Sequence, residues 1–204
     1  MIKEAFSLKD RADPDTATVY GTLQAARELL KTHRTEGLAA LNVLFRSGML
    51  PAPAPNGRYQ GKFLALDLAP GVTQLSEWLA NLWMPWLGKT FDASRQTGDN
   101  ILSKDSYLLA RFLNPRYKGF MTDGATSYRA FGFYTYTGPG VADPDRIVYK
   151  IDYNLKENPA LTVRRVLDEI VQLADGVYLG KAHVHWWWQR AGSWQTIAYF
   201  TLNR

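Results

Sequence analysis

With 204 residues, 46% of them hydrophobic and 21% charged, the chain has the composition of an ordinary globular domain, long enough to bury about 70% of its unfolded surface without metal or disulfide. It has no cysteine, which excludes disulfide frameworks, thiolate metal sites and cysteine nucleophiles and fits a cytoplasmic address. The net charge of +5 is scattered, with Arg164-Arg165 the densest cluster, and no run reaches the apolar length of a signal peptide or membrane span, so neither nucleic acid nor membrane is an expected partner.

Asp13-Pro14-Asp15-Thr16 offers a helix start, and Val19, Leu23, Ala26, Leu29 and Leu30 follow at three- and four-residue spacing on one face. Gly37 is expected to break this helix, with Leu38, Leu41, Leu44 and Phe45 continuing a second short one. Three alternate prolines in Pro51–Gly57 then disfavour helix and pre-set an extended junction. Residues 1–50 thus read as an N-terminal helical segment, and residues 57–204 as a β-rich unit with two inserted helices, the whole forming one compact body.

In that second part, strands are expected at Arg58–Leu68, Trp86–Phe91, Ser127–Thr137, Arg146–Tyr153, Val177–Trp188 and Trp194–Leu202, the last two joined across Gln189–Ser193. Leu75, Trp78, Leu79 and Leu82 suggest a helix over Thr73–Trp83. Asn158-Pro159 reads as a helix start, followed by the stripe Val163, Val166, Leu167, Ile170 and Leu173. Strands arriving as hairpins or after short helices favour an antiparallel sheet. The fold class is therefore α+β, a curved antiparallel sheet or barrel with the first helices packed outside.

Five short stretches, taken in order, carry a resemblance: Gly57-Arg58-Tyr59-Gln60-Gly61, Trp86-Leu87-Gly88-Lys89-Thr90-Phe91, Asp168-Glu169, Leu179-Gly180-Lys181 and the closing Tyr199–Arg204. The set resembles the GXWXG-motif family of small bacterial proteins, which are similar to calycin barrels such as lipocalins and nitrobindin, with Tyr59 where the family has tryptophan. The resemblance implies a calycin-like barrel, in which Tyr59 would pack under Arg204 of the last strand, with Gly57 and Gly61 structural. It implies no settled activity.

The segment Val177–Trp188 carries the richest chemistry. Alternation sends Tyr178, Ala182, Val184, Trp186 and Trp188 to one side and Lys181, His183, His185 and Trp187 to the other. Two histidines two apart on a strand can share a metal or supply a haem ligand; no third donor is in view, and the pair reads as solvent-facing side chains beside a tryptophan. Among carboxylates, Asp168 and Glu169 read as neighbours about 100° apart on a helix and not a dyad. Asp99-Asn100 reads as part of a turn, and Asp67 as a sheet-edge residue or a pocket carboxyl of raised pKa. Serine-hydrolase, P-loop and dinucleotide motifs are absent from the sequence.

Seven tryptophans and eleven tyrosines serve either as core packing or as the wall of an aromatic-lined cavity. The leading expectation is a binding protein holding a small apolar or aromatic ligand in a barrel, without chemistry, with Tyr59, Phe63, Trp86, Lys89, Phe133 and Trp187 as contact residues. One alternative is an isomerase, cyclase or hydrolase acting on a hydrophobic metabolite through His183 or His185, with Lys181 or Lys89 neutralising charge. The other is an interaction domain using the tryptophan-rich hairpin, as in a homodimer.

Overall fold

The computed structural model describes residues 6–8, 15–67, 85–190 and 192–204. Helix α1 (Thr16–Thr32) starts where Asp15 Oδ1 accepts the Thr18 N–H at 2.6 Å, and it buries Val19, Leu23 and Ala26. Helix α2 (Arg34–Ser47) follows at once and buries Ala40, Leu41, Leu44 and Phe45. The break between them falls at His33, whose φ of −139° and ψ of 74° leave the helical region. Gly37, expected to be the breaker, is inside α2. A Cβ there would stand 2.6 Å from Leu30 N, so its bare Cα is what lets the two helices touch.

The strands are β1 (Gly57–Leu66), β2 (Trp86–Asp92), β3 (Thr97–Ser103), β4 (Met121–Asp123), β5 (Ser127–Pro139), β6 (Ile147–Asp152), β7 (Val166–Ala174), β8 (Val177–Val184) and β9 (Gln195–Asn203). All pairings are antiparallel. With β4 set aside as a short addition to the start of β5, each strand neighbours the next in sequence, and β1 closes on β9. The result is a closed eight-stranded up-and-down barrel, the calycin-like α+β architecture expected. A short helix, α3 (Tyr107–Leu113), lies between β3 and β4.

Two apolar clusters build the molecule. One fills the barrel and includes Tyr59, Phe91, Phe133, Ile151, Tyr178 and Phe200. The other lies on the outer wall, where α1 and α2 press Val19, Leu41, Leu44 and Phe45 against Val171, Leu173, Leu179 and Tyr199 of β7, β8 and β9. The N-terminal helices are thus outside the barrel.

Three expectations change. The helix after Asn158-Pro159 is instead strand β7, and every residue of it except Gln172 is buried. Interior on one side and helices on the other leave no polar face, so period-two alternation vanishes and apolar spacing mimics a helix; the β-branched Val166, Ile170 and Val171 favour the strand. Asp99-Asn100 belongs to β3, and the turn is at residues 93–96, where Asp92 Oδ1 accepts from Ser94 N and Arg95 N at 3.1 Å each. Strand β8 stops at Val184, leaving Trp186, Trp187 and Trp188 in the connection to β9. The helix expected at Thr73–Trp83 and the end of the first strand at Leu68 lie outside the described residues. No helix among the described residues is long and apolar enough to cross a membrane.

Candidate functional site

One end of the barrel is plugged and the other holds a cavity. At the plugged end Tyr59 meets Phe91 and Tyr178 edge-on, at ring separations of 5.6 and 5.4 Å. The cavity opens where β3, β6 and β8 end and β5, β7 and β9 begin. It encloses about 520 Å³, counting the space at its open mouth. Leu102, Phe131, Val163, Val166 and Phe200 make its walls apolar, while Lys89, Asn100, Tyr153 and Asp168 supply polar groups.

Register explains why these four converge. Tyr59, Lys89 and Asn100 are direct cross-strand neighbours on β1, β2 and β3, so they share the inward face. On β7, Val166, Asp168 and Ile170 share the inward parity. Ala130 opposite Asn100, and Ala182 and Ala198 in line with Asp168, keep that belt small-sided and leave room in the lumen. Gly61 and Gly180 do the same for rings, since a side chain at either position would collide with Trp86 or Phe200 respectively.

Lys89 Nζ lies 2.9 Å from Asp168 Oδ2, donates to Asn100 Oδ1 at 2.9 Å, and also donates to the Tyr153 hydroxyl. The single phenolic proton of Tyr153 has two acceptors, Asp168 Oδ2 and Asn100 Oδ1, each at 3.1 Å. Asn100 Oδ1 also receives Trp86 Nε1–H at 3.1 Å, and Asn100 Nδ2 donates to Phe131 O at 3.1 Å. The ammonium is ringed by the Trp86, Phe133, Tyr153 and Phe200 rings, 5.0–5.6 Å from their centroids. Burial pushes the Lys89 pKa down, against the pull of Asp168. Burial and then the Asp168 charge drive the Tyr153 pKa well up, keeping it a phenol. Among the described residues, Asp168 Oδ1 is buried with no hydrogen-bond partner.

Of the expected contact residues, Trp86 and Lys89 line this cavity and Phe133 lies against the Lys89 ammonium. Tyr59 is deeper, in the plug. Phe63 and Trp187 are exposed. Gly57 adopts a φ of +90° at the start of β1, and Arg204 is exposed while Tyr59 packs on Phe91 and Tyr178. Asp67 follows β1, half-buried, with its pKa raised by burial against the pull of Arg34 and Lys181.

The catalytic and metal candidates are elsewhere. His183 is fully buried on the outer face of β8, not solvent-facing: Nε2 stands 3.2 Å from Glu169 Oε2 and Nδ1 is 3.1 Å from Thr196 Oγ1. Lys181 Nζ donates to Asp143 Oδ2 at 2.5 Å and Asn42 Oδ1 at 2.6 Å. Arg46 bridges Asp143 and Asp145, and Lys150 Nζ reaches Glu169 Oε1 at 2.6 Å. This outer network ties α2 and residues 140–146 to the barrel wall. His185 bonds Ser193 O through Nδ1 at 2.7 Å beside Trp194. Neither histidine lines the cavity; Nδ1 of His183 is hydrogen-bonded with Thr196, while Nε2, 3.2 Å from Glu169 Oε2, has no hydrogen-bond partner among the described residues. No group of three metal-ligating side chains occurs among the described residues.

Asn100, Tyr153 and Asp168 were not expected here. The sequence signal available was an acidic pair inside the apolar run Val163–Leu173, with β-branched residues dense enough to suggest a strand. No family model matches the chain, and no curated protein matches it. Among solved structures, the chain is similar to a protein from Thermomonospora curvata at 16% identity and a TM-score of 0.47, over 90% of this chain and 98% of that one.

Proposed function

We propose that the barrel binds a small molecule with an apolar or aromatic body and one hydrogen-bond donor, the donor directed at Asp168 Oδ1. The observation that carries this reading is that orphaned, buried carboxylate oxygen among apolar walls. A buried acceptor without a partner costs about 1–3 kcal/mol, which a ligand donor recovers on binding. Lys89 and Tyr153 hold the carboxylate by its other oxygen, and Asn100 in turn accepts from the lysine, so the site is ordered before the ligand arrives. The apolar walls with a few convergent polar groups suit a small aromatic body.

The test is a matched pair, 2-naphthol and 2-methoxynaphthalene, titrated calorimetrically. The hydroxyl compound binds about 5- to 150-fold more tightly, the range that a satisfied buried carboxylate implies. Asp168→Asn removes that preference, and Leu102→Trp, which fills the cavity, abolishes binding of both. Equal affinity of the two compounds overturns the assignment of the donor. A proton-transfer enzyme on this scaffold would work through Lys89, Tyr153 and Asp168, the titratable residues that line the cavity, and not through His183 or His185.

A further inference from the structure

Helix α3 carries apolar residues on two sides. Tyr107 and Ala110 pack against the barrel core, while Leu108, Leu109, Phe112 and Leu113 face outward, with Leu108 and Phe112 each 80% exposed. Spacing of i, i+1, i+4 and i+5 makes these four one continuous stripe. Two other connections at the same end of the barrel add exposed apolar tips: Leu161, 82% exposed, from the β6–β7 connection, and Trp187 and Trp188 from the β8–β9 connection. Among the described residues, every large apolar side chain that is at least 60% exposed lies at this end, and a monomer gains nothing by collecting them around one opening.

Charge is concentrated at the same end. Residues 104–126, 153–165 and 185–194 contain eight basic and three acidic side chains, and the β1–β2 connection at the same end, residues 67–85, adds the acids Asp67 and Glu77, which leaves this end with an excess of three positive charges. Lys104, Arg111, Arg116, Lys118, Lys156 and Arg190 are exposed among the apolar tips. Tryptophan, leucine and phenylalanine interleaved with lysine and arginine is the composition that seats at a lipid headgroup boundary, where rings enter the acyl edge and cations meet anionic phosphates. A second copy of this chain, docked through the same face, would oppose two surfaces of like charge.

We propose that the mouth of the barrel docks on an anionic bilayer surface, with the α3 stripe, Leu161 and Trp187 as the inserted apolar elements. This departs from the sequence expectation of no membrane partner, and it does not depend on the ligand reading: none of the inserted residues lines the cavity. Docking would place the opening against the hydrocarbon boundary, from which an apolar guest enters without crossing water.

Vesicle flotation tests the proposal with phosphatidylcholine vesicles with and without about 30% phosphatidylglycerol. The protein floats with the anionic vesicles, at least about tenfold more than with the zwitterionic ones, and raising salt from about 0.1 M to about 0.5 M weakens binding. Leu108→Asp with Phe112→Asp, at exposed positions where folding is unaffected, lowers binding at least about tenfold while 2-naphthol affinity in solution is unchanged. Failure to float with anionic vesicles, or undiminished flotation of the double variant, overturns the proposal. So does a concentration-dependent dimer abolished by Phe112→Asp without vesicle binding, which assigns the face to a second copy.

Discussion

Replacing Lys89 by methionine keeps the length of the side chain and removes its charge, which leaves the Asp168 carboxylate inside the barrel without its counter-ion. Removing one partner of a buried pair costs about 3–5 kcal/mol, because a charge is stranded where water cannot reach it. A chain of this length loses about 2–4 °C of melting temperature per kcal/mol, so Lys89→Met melts about 6–20 °C below the parent protein. Replacing both partners is different. In Lys89→Met with Asp168→Leu no charge remains, Asn100 keeps Trp86 and Tyr153 as donors, and the leucine's extra bulk extends into the cavity. Apolar replacement of a whole buried pair is often neutral, so the double variant recovers most of the loss. Urea unfolding followed by circular dichroism at neutral pH supplies the four free energies of the cycle. Two outcomes refute the reasoning: Lys89→Met within about 1 kcal/mol of the parent, or a double variant as unstable as the sum of the singles.

Glu169 gives a pH signature. Burial pushes its carboxyl up, but His183 and Lys150 outweigh that and bring it from 4.5 down to about 2. A depressed carboxyl stabilises above its unfolded pKa and loses that contribution as pH falls through the folded one, so about 3 kcal/mol disappears between pH 4.5 and about 2. Glu169→Gln lacks this acid limb, and urea midpoints measured across that window converge for the two proteins; a gap independent of pH contradicts the account. Gly61→Val forces the Trp86 ring off the cavity wall, costing about 1–3 kcal/mol in thermal melts and weakening 2-naphthol binding. Gly37→Ala is expected to raise helix stability by about 1 kcal/mol on propensity alone, yet contact with the Leu30 backbone reverses the sign, and a higher melting temperature refutes the close helix packing.

The barrel was legible wherever one face of a strand differs from the other, or turn chemistry punctuates the chain. Ser127–Thr137, with its aromatics and threonines, and Arg146–Tyr153 announce β5 and β6 closely, and Asp15 announces the start of α1. Strand β7 was illegible because α2 and the lumen cover both of its faces, which erases the contrast that distinguishes a strand from a buried helix. β3 was hidden by Thr97-Gly98-Asp99-Asn100, a run that reads as a turn, whereas Gly98 is there because the Phe133 ring and the Thr90 carbonyl occupy the space a side chain would need. Half of the polar cluster fell on those two strands. Lys89 and Trp86 were found on β2, but Asn100 and Asp168 meet them only through barrel closure, which no local pattern encodes.

The misreading of β7 also concealed the chemical contrast on which the functional reading rests. On a helix Asp168 and Glu169 would share a flank; on a strand they point to opposite sides of the wall. Glu169 faces out, where Lys150 and the Val141 N–H fill Oε1 while His183 Nε2 stands 3.2 Å from Oε2 without forming a hydrogen bond to it. Asp168 faces in and lines the cavity, where Lys89 and Tyr153 converge on Oδ2 while Oδ1, among the described residues, has no hydrogen-bond partner. Two adjacent carboxylates of equal burial thus have different roles. The outer one fastens the barrel wall, tied to Lys150 and to the Val141 N–H and set beside His183, away from the cavity. The inner one is held by Lys89 and Tyr153 in the wall of an apolar chamber, and that placement, not the lack of a partner alone, is what the proposal of a guest carrying a donor rests on.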